Sequence, residues 1–191
     1  MAVQLLGAAG RMQLLSEQQL AARNSGRAAD HVAVMAAAIA EALAAGRELH
    51  IITCDIQKAF DAVPQYALWE AMERHGHPPE TVRRVRMLQT CTGAYVRTDY
   101  GRSKHPVLTS MGCKQGCPLS PITYCLFMNM LHRQLDKQPG GYQPTPPPGH
   151  THRKPCNTLK YQAYMDDLTL FAENACTAQA MIGIADRFLA A

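Results

Sequence analysis

Apolar and polar positions change their spacing several times along the chain, and each change marks an element. Residues 28–46 are apolar and Ala-rich, which predicts a helix with Gly46 as its stop. Leu49 to Cys54 is a short run of apolar and β-branched side chains, the pattern of a buried strand. Pro64 opens a second helix through about Arg74, ended by Gly76 and Pro78-Pro79. A basic helix follows from about Glu80 to Thr90. Ala94 to Tyr100 and Pro106 to Ser110 suggest short strands of a hairpin, separated by Gly101. Pro118 to Leu135 is a long apolar helix with Pro near its start, where no intrahelical partner awaits its missing N–H. Pro139-Gly140-Gly141 and the stretch Pro144 to Gly149, about 139–149 together, form a loop or insertion. Leu159 to Ala163 and Leu168 to Ala172 are two more strands, and Ala175 to Leu189 a closing helix. No repeat of the length used by solenoids or propellers is present. The pattern is α+β: helices backing a small antiparallel sheet.

The last two strands flank Tyr164-Met165-Asp166-Asp167, so a tight turn would set two carboxylates at a hairpin tip. Adjacent like charges repel, and a divalent cation is the usual reason to keep them together; the plain alternative is an acidic turn. Asp55 stands where the Leu49–Cys54 strand gives way to a loop, another point at which a carboxylate becomes accessible. Asp55 and Asp166 are 111 positions apart and can meet only through tertiary folding. Between them, Gly112-Cys113-Lys114-Gln115-Gly116-Cys117-Pro118-Leu119-Ser120-Pro121 is a Gly- and Pro-punctuated loop feeding the long helix.

These three segments, in this order, resemble the palm of a reverse transcriptase. Motif A is Asp55 to Asp61, motif B Gly112 to Pro121 and motif C Tyr164 to Asp167. The Asp55-x-x-x-Ala59-Phe60-Asp61 and Gln115-Gly116-x-Pro118-Leu119-Ser120-Pro121 forms look most like the non-LTR retrotransposon and group II intron branch. The resemblance implies a polymerase palm over residues 49–191, partial fingers over 1–48 and no thumb, hence a fragment of a longer enzyme. It implies RNA-directed DNA polymerisation: a primer hydroxyl attacks an α-phosphate while two Mg²⁺ ions (or Mn²⁺) about 3.5–4 Å apart stabilise the developing charge. Asp55 and Asp166 would bind the metals directly, with Asp167 an ancillary carboxylate beside them. Phe60 would lie under the incoming sugar and crowd a ribose 2′-hydroxyl, favouring deoxynucleotides; its other reading is a core Phe. Gln115 would contact the incoming nucleotide, and Gly116 would let backbone approach nucleotide or template. Arg23 or Arg27, in Arg23-Asn24-Ser25-Gly26-Arg27, would grip the triphosphate, although the family's Gly-Phe is Ala21-Ala22 here. Met165 also departs from the branch, where Ala is more usual.

The 191 residues suffice for one domain with a real core, at 47% hydrophobic and 18% charged side chains. The net charge of +4 conceals a basic middle: residues 83–114 hold Arg83, Arg84, Arg86, Arg97, Arg102, Lys104 and Lys114 against Asp99 alone. Such a segment suits a surface that tracks phosphates, so an RNA template with a DNA or RNA primer and dNTP are the expected partners; the other reading is a solvated helix face. The longest apolar run, Val32 to Ala45, is interrupted by Glu41 and short for a membrane span, so no membrane is expected. Seven cysteines lack Cys-x-x-Cys spacing and eight histidines lack ligand spacing, which argues against zinc and for an intracellular reducing compartment, nucleus or cytoplasm. The competing function is a truncated, non-catalytic remnant that binds nucleic acid.

Overall fold

The computed structural model describes residues 15–22, 27–90, 93–108, 111–114, 116–145 and 158–190. They divide into two compact units: one lies within 57–127 and the other within 15–56 and 128–190.

The second unit is built on a three-stranded antiparallel sheet. Its strands are β1 (His50–Cys54), β6 (Tyr161–Tyr164) and β7 (Asp167–Ala172), in the order β1-β7-β6. Two expectations meet here. The hairpin of β6 and β7 forms as the two flanking strands predict, and β7 is buried at five of its six positions. The strand at 50–54 also forms, but it is half-exposed rather than buried. It lies at the sheet's edge, so the central β7 takes the fully buried position.

Helix α1 (Ala28–Ala45) lies on one face of that sheet, where Ala38 and Ala42 pack with Phe171, Ile51 and Tyr142. Small side chains at that spacing let the helix approach the strands closely. Glu41, the interruption in the apolar run, has its own function: its carboxylate accepts from the Tyr142 hydroxyl and from the Thr145 N–H at 3.0 Å. Gly46 ends the helix in the left-handed conformation (φ +62°). By length and composition alone α1 could cross a membrane; its packing here is that of a helix laid on a sheet. The closing helix, which we call α6 (Ala175–Leu189), is capped by the Asn174 side chain accepting from the Thr177 N–H at 2.8 Å.

The first unit begins with a short helix α2 (Ala59–Ala62), then pairs α3 (Gln65–Arg74) with α4 (Pro79–Gln89) through Leu68, Met72, Val82 and Val85. Pro79 occupies the first helical position, one residue before the expected start at about Glu80. The single hairpin expected over 94–110 is instead two nested ladders of two residues each. Strand β2 (Gly93–Ala94) pairs β5 (Val107–Leu108), and inside them β3 (Arg97–Thr98) pairs β4 (Gly101–Arg102). All eight residues are exposed. With no face to bury, the described pairs gain little stability from burial. Helix α5 (Ser120–Lys137) gives its first half to this unit and its second half to the other.

Candidate active site

The acids expected to act together belong to one unit. Cys54 pairs with Leu168 as the last step of the β1–β7 ladder, so Asp55 follows one step beyond, level with Asp167 at the start of β7. Antiparallel pairing thereby closes the sequence gap between the two carboxylates. Asp55 and Asp167 line one open cleft of about 260 Å³, together with His31, Thr53, Cys54 and Thr169. Asp166 occupies the adjoining turn, half-buried, and is not among the residues lining the cleft.

Both lining carboxylates are exposed, and neither they nor Asp166 take part in the ion pairs found among the described residues. No group of three or more His, Cys, Asp or Glu among the described residues forms a ready-made metal cage. The donors are hard oxygens in an open cleft. That suits Mg²⁺, which takes one or two carboxylates and completes its shell with water and phosphate. Burial, with Asp186 adding to it, pushes the Cys54 thiol up, so it stays protonated. Burial holds His31 below its ordinary value against the opposing pull of Asp167, and its Nε2 lies 3.2 Å from the Thr169 hydroxyl.

The turn itself is strained. Met165 has φ +57°, and it and Lys58 are the non-glycine residues with positive φ among the described residues. Such a conformation at the first turn position ordinarily calls for glycine. The backbone of Met165 is held from both sides by a side chain that local patterning does not single out. Gln19 Oε1 accepts the Met165 N–H at 3.1 Å, and Gln19 Nε2 donates to the Met165 carbonyl at 3.3 Å. The signal was absent because Glu17-Gln18-Gln19 is a polar run without period.

The residues expected to meet the nucleotide have their own local surroundings. Phe60, in α2, is half-buried and stacks on Tyr124, with ring centroids 4.6 Å apart. The backbone joins motif A to motif B within the first unit: Cys113 N–H donates to the Phe60 carbonyl at 2.7 Å and Gly112 N–H to the Val63 carbonyl at 2.8 Å. A β-carbon on Gly112 would stand 3.0 Å from the Asp61 backbone, on a residue with φ +83°, so both space and conformation demand glycine there. Gly116 has φ +80° and open space around it. Arg27 precedes α1 with its side chain exposed; its N–H donates to the Asp30 carboxylate at 2.9 Å, and it does not line the cleft. Arg23 and Gln115 lie outside the described residues.

The basic segment divides. Arg83 and Arg84 both bind Glu80, Arg86 lies over the Trp69 ring, and Lys114 donates to the Leu88 carbonyl at 2.7 Å. Arg97 and Arg102 belong to the exposed ladders, where Arg102 lies 3.5 Å over the Tyr95 ring and Tyr100 is fully exposed.

A family model described as reverse transcriptase (RNA-dependent DNA polymerase) matches residues 2–191. The chain belongs to the reverse transcriptase family. It is 30% identical over 137 residues to the retrovirus-related Pol polyprotein from type-2 retrotransposable element R2DM of Drosophila melanogaster, covering 71% of this chain and 12% of that protein. It is 29% identical over 130 residues to the corresponding polyprotein from type-1 retrotransposable element R2 of Popillia japonica, covering 67% and 20%. These relatives put it on the non-LTR retrotransposon side of the family, as the motif forms predict. The chain thus spans a fifth or less of the length of either. Two telomerase structures share its fold. One, from Candida albicans with a fragment of telomeric RNA, has a TM-score of 0.65 at 12% identity, over 97% of this chain and 31% of that one. The other, apo telomerase from Candida tropicalis, has a TM-score of 0.64 at 15% identity, over 97% and 36%.

Proposed function

We propose that this chain is the catalytic core of a retroelement RNA-directed DNA polymerase, adding deoxynucleotides to a DNA or RNA primer on an RNA template. One observation carries the reading. In a chain of the reverse transcriptase family, the β1–β7 register brings Asp55 level with Asp167 around one open cleft, with Asp166 in the adjoining turn.

Asp55, Asp166 and Asp167 would hold two Mg²⁺ ions, with Mn²⁺ as a substitute, and these ions would supply charge stabilisation at the transferring phosphate. The chain's own groups do the remainder. The carboxylates fix where the primer hydroxyl and the α-phosphate can meet. Phe60, braced by Tyr124, would present its ring to the sugar and select against a 2′-hydroxyl. Gln115 and Gly116 would receive the nucleotide, and Arg23 or Arg27 the triphosphate. Arg97, Arg102 and the exposed Tyr100 supply charge and a stacking surface for the template. On this reading 49–191 is palm and 1–48 contributes to fingers, and the work is done inside the cell.

The test is primer extension on poly(rA)–oligo(dT) with dTTP and Mg²⁺, comparing this chain with Asp166→Asn. The expected result is incorporation by the native chain, lost in the variant without a change in unfolding temperature. Equal incorporation by both would overturn the reading. Incorporation by neither, with salt-sensitive RNA binding retained, would favour the non-catalytic binding remnant instead.

A further inference from the structure

We propose that Gln19 is a positioning residue that holds the Met165–Asp166 turn in its metal-binding conformation. The proposal rests on the polymerase reading for its purpose, but its geometry stands independently. Gln19 is fully buried, and its single side-chain amide meets both backbone groups of Met165. A primary amide carries donor and acceptor side by side, as a peptide group of a neighbouring strand would. Glutamate offers only the acceptor, and Leu or Met of similar size neither.

The segment that delivers Gln19 is docked along the outer edge of β6. The Ala163 N–H donates to the Gln18 carbonyl at 2.9 Å, and Gln19 and Ala163 form a parallel bridge. Ser16 N–H donates to Asn129 Oδ1 at 2.8 Å, and the Ser16 hydroxyl lies 2.7 Å from that of Tyr161. Residues 16–19 therefore cover an edge that would otherwise be open, and present Gln19 at the turn. The conformation that it holds is one a non-glycine residue avoids. Released, Met165 would relax toward negative φ and carry the Asp166 carboxylate away with it. A positioning group distant in sequence from all three motifs thus sets the geometry of motif C.

Three forms of the full chain test this: the native protein, Gln19→Leu, and Gln19→Leu combined with Met165→Gly. Amide hydrogen exchange at Met165 and Asp166 reports the clamp, and Mn²⁺ titration followed by electron paramagnetic resonance reports the site. Gln19→Leu is expected to speed Met165 exchange by at least about tenfold and weaken Mn²⁺ binding by about tenfold. Adding Met165→Gly is expected to recover most of the Mn²⁺ affinity, since glycine takes φ +57° without strain. A segment that merely stabilised the fold would give no such recovery. Unchanged exchange in Gln19→Leu, or failure of the glycine to restore binding, would overturn the proposal. If the native chain binds no Mn²⁺, the polymerase reading fails, and exchange alone decides the clamp. Should Gln19→Leu fail to fold, Gln19→Glu keeps the acceptor and loses the donor. Faster Met165 exchange with a measurable loss of Mn²⁺ affinity there supports the clamp, and unchanged exchange overturns it.

Discussion

The β1-β7-β6 sheet and the β2–β5 ladders are both antiparallel, yet they differ in nearly everything else. The sheet has a central strand buried along most of its length, a helix packed through Phe171 and Ile51, and paired positions more than a hundred residues apart in sequence. The ladders pair only two residues at a time, from neighbouring stretches, and all of those residues are exposed. Backbone pairing alone therefore does not make a platform. Burial does, by over-determining the register, and a carboxylate can then be held at a strand end. The ladders instead put charged and aromatic side chains in solvent, which suits a surface completed by a partner.

Two substitutions should separate these regions most sharply. Asp55→Asn keeps the shape of the side chain and removes its charge from the cleft; extension should fall by about a thousandfold or more. Its thermal unfolding should stay within about 0.5 kcal/mol of native, because the carboxylate is exposed and unpaired among the described residues. Activity retained within tenfold would remove Asp55 from the catalytic set. Phe171→Ala should do the reverse, through stability. It empties the centre of the cluster around Ala38, Ala42 and Tyr142, and should cost about 3–5 kcal/mol in chemical denaturation. A cost below 1 kcal/mol would mean that the sheet does not depend on that core.

The same contrast explains how much could be read in advance. The β6–β7 hairpin and the stop at Gly46 were legible because each depends on a local period or on one residue's backbone preference. That Asp55 meets the turn carrying Asp166 and Asp167 was legible only through the family resemblance, since register across a long sequence gap has no local signature. The edge position of β1 was misjudged because apolar composition does not distinguish a central strand from an edge one. The ladders were misjudged because Gly101 opens β4 instead of separating two short strands. Gln19 was invisible: its role comes from a parallel bridge to Ala163 and from the strain at Met165, neither of which leaves a mark near residue 19.

A smaller effect should come from acid. His132, on α5, is fully buried, with its ring stacked on Tyr161 and burial lowering its pKa to about 4. An unfolded histidine takes up its proton near pH 6.5, so the unfolded chain binds more protons than the folded one between those values. This contribution to stability is complete above pH 6.5 and lost as the pH falls toward 4. The full loss is roughly 3 kcal/mol, to an order of magnitude. Burial lowers His31 and His77 in the same direction, so the native chain should lose stability throughout this window. His132→Phe preserves the stacked ring and removes the proton. Its unfolding free energy between pH 6.5 and 4 should be visibly flatter than native; equal slopes would show that His132 does not govern the acid sensitivity of the second unit.

The smallest effect belongs to the ladders, and it should appear in binding alone. Tyr100 is fully exposed at the turn between β3 and β4, so Tyr100→Ala removes no packed surface and should change stability by less than about 0.5 kcal/mol. A base stacked on it would contribute on the order of 1–3 kcal/mol, so affinity for single-stranded RNA should drop by about tenfold in a filter-binding series. Arg102→Ala offers the complementary measurement, because a phosphate contact reveals itself through salt: the slope of log affinity against log salt should become shallower by about one. Tyr95, left without the guanidinium over its ring, would keep the exposed face on which a base could stack. If Tyr100→Ala binds RNA as tightly as the native chain, and Arg102→Ala keeps the full salt slope, the ladders are not the template surface. Their exposure would then need a different partner.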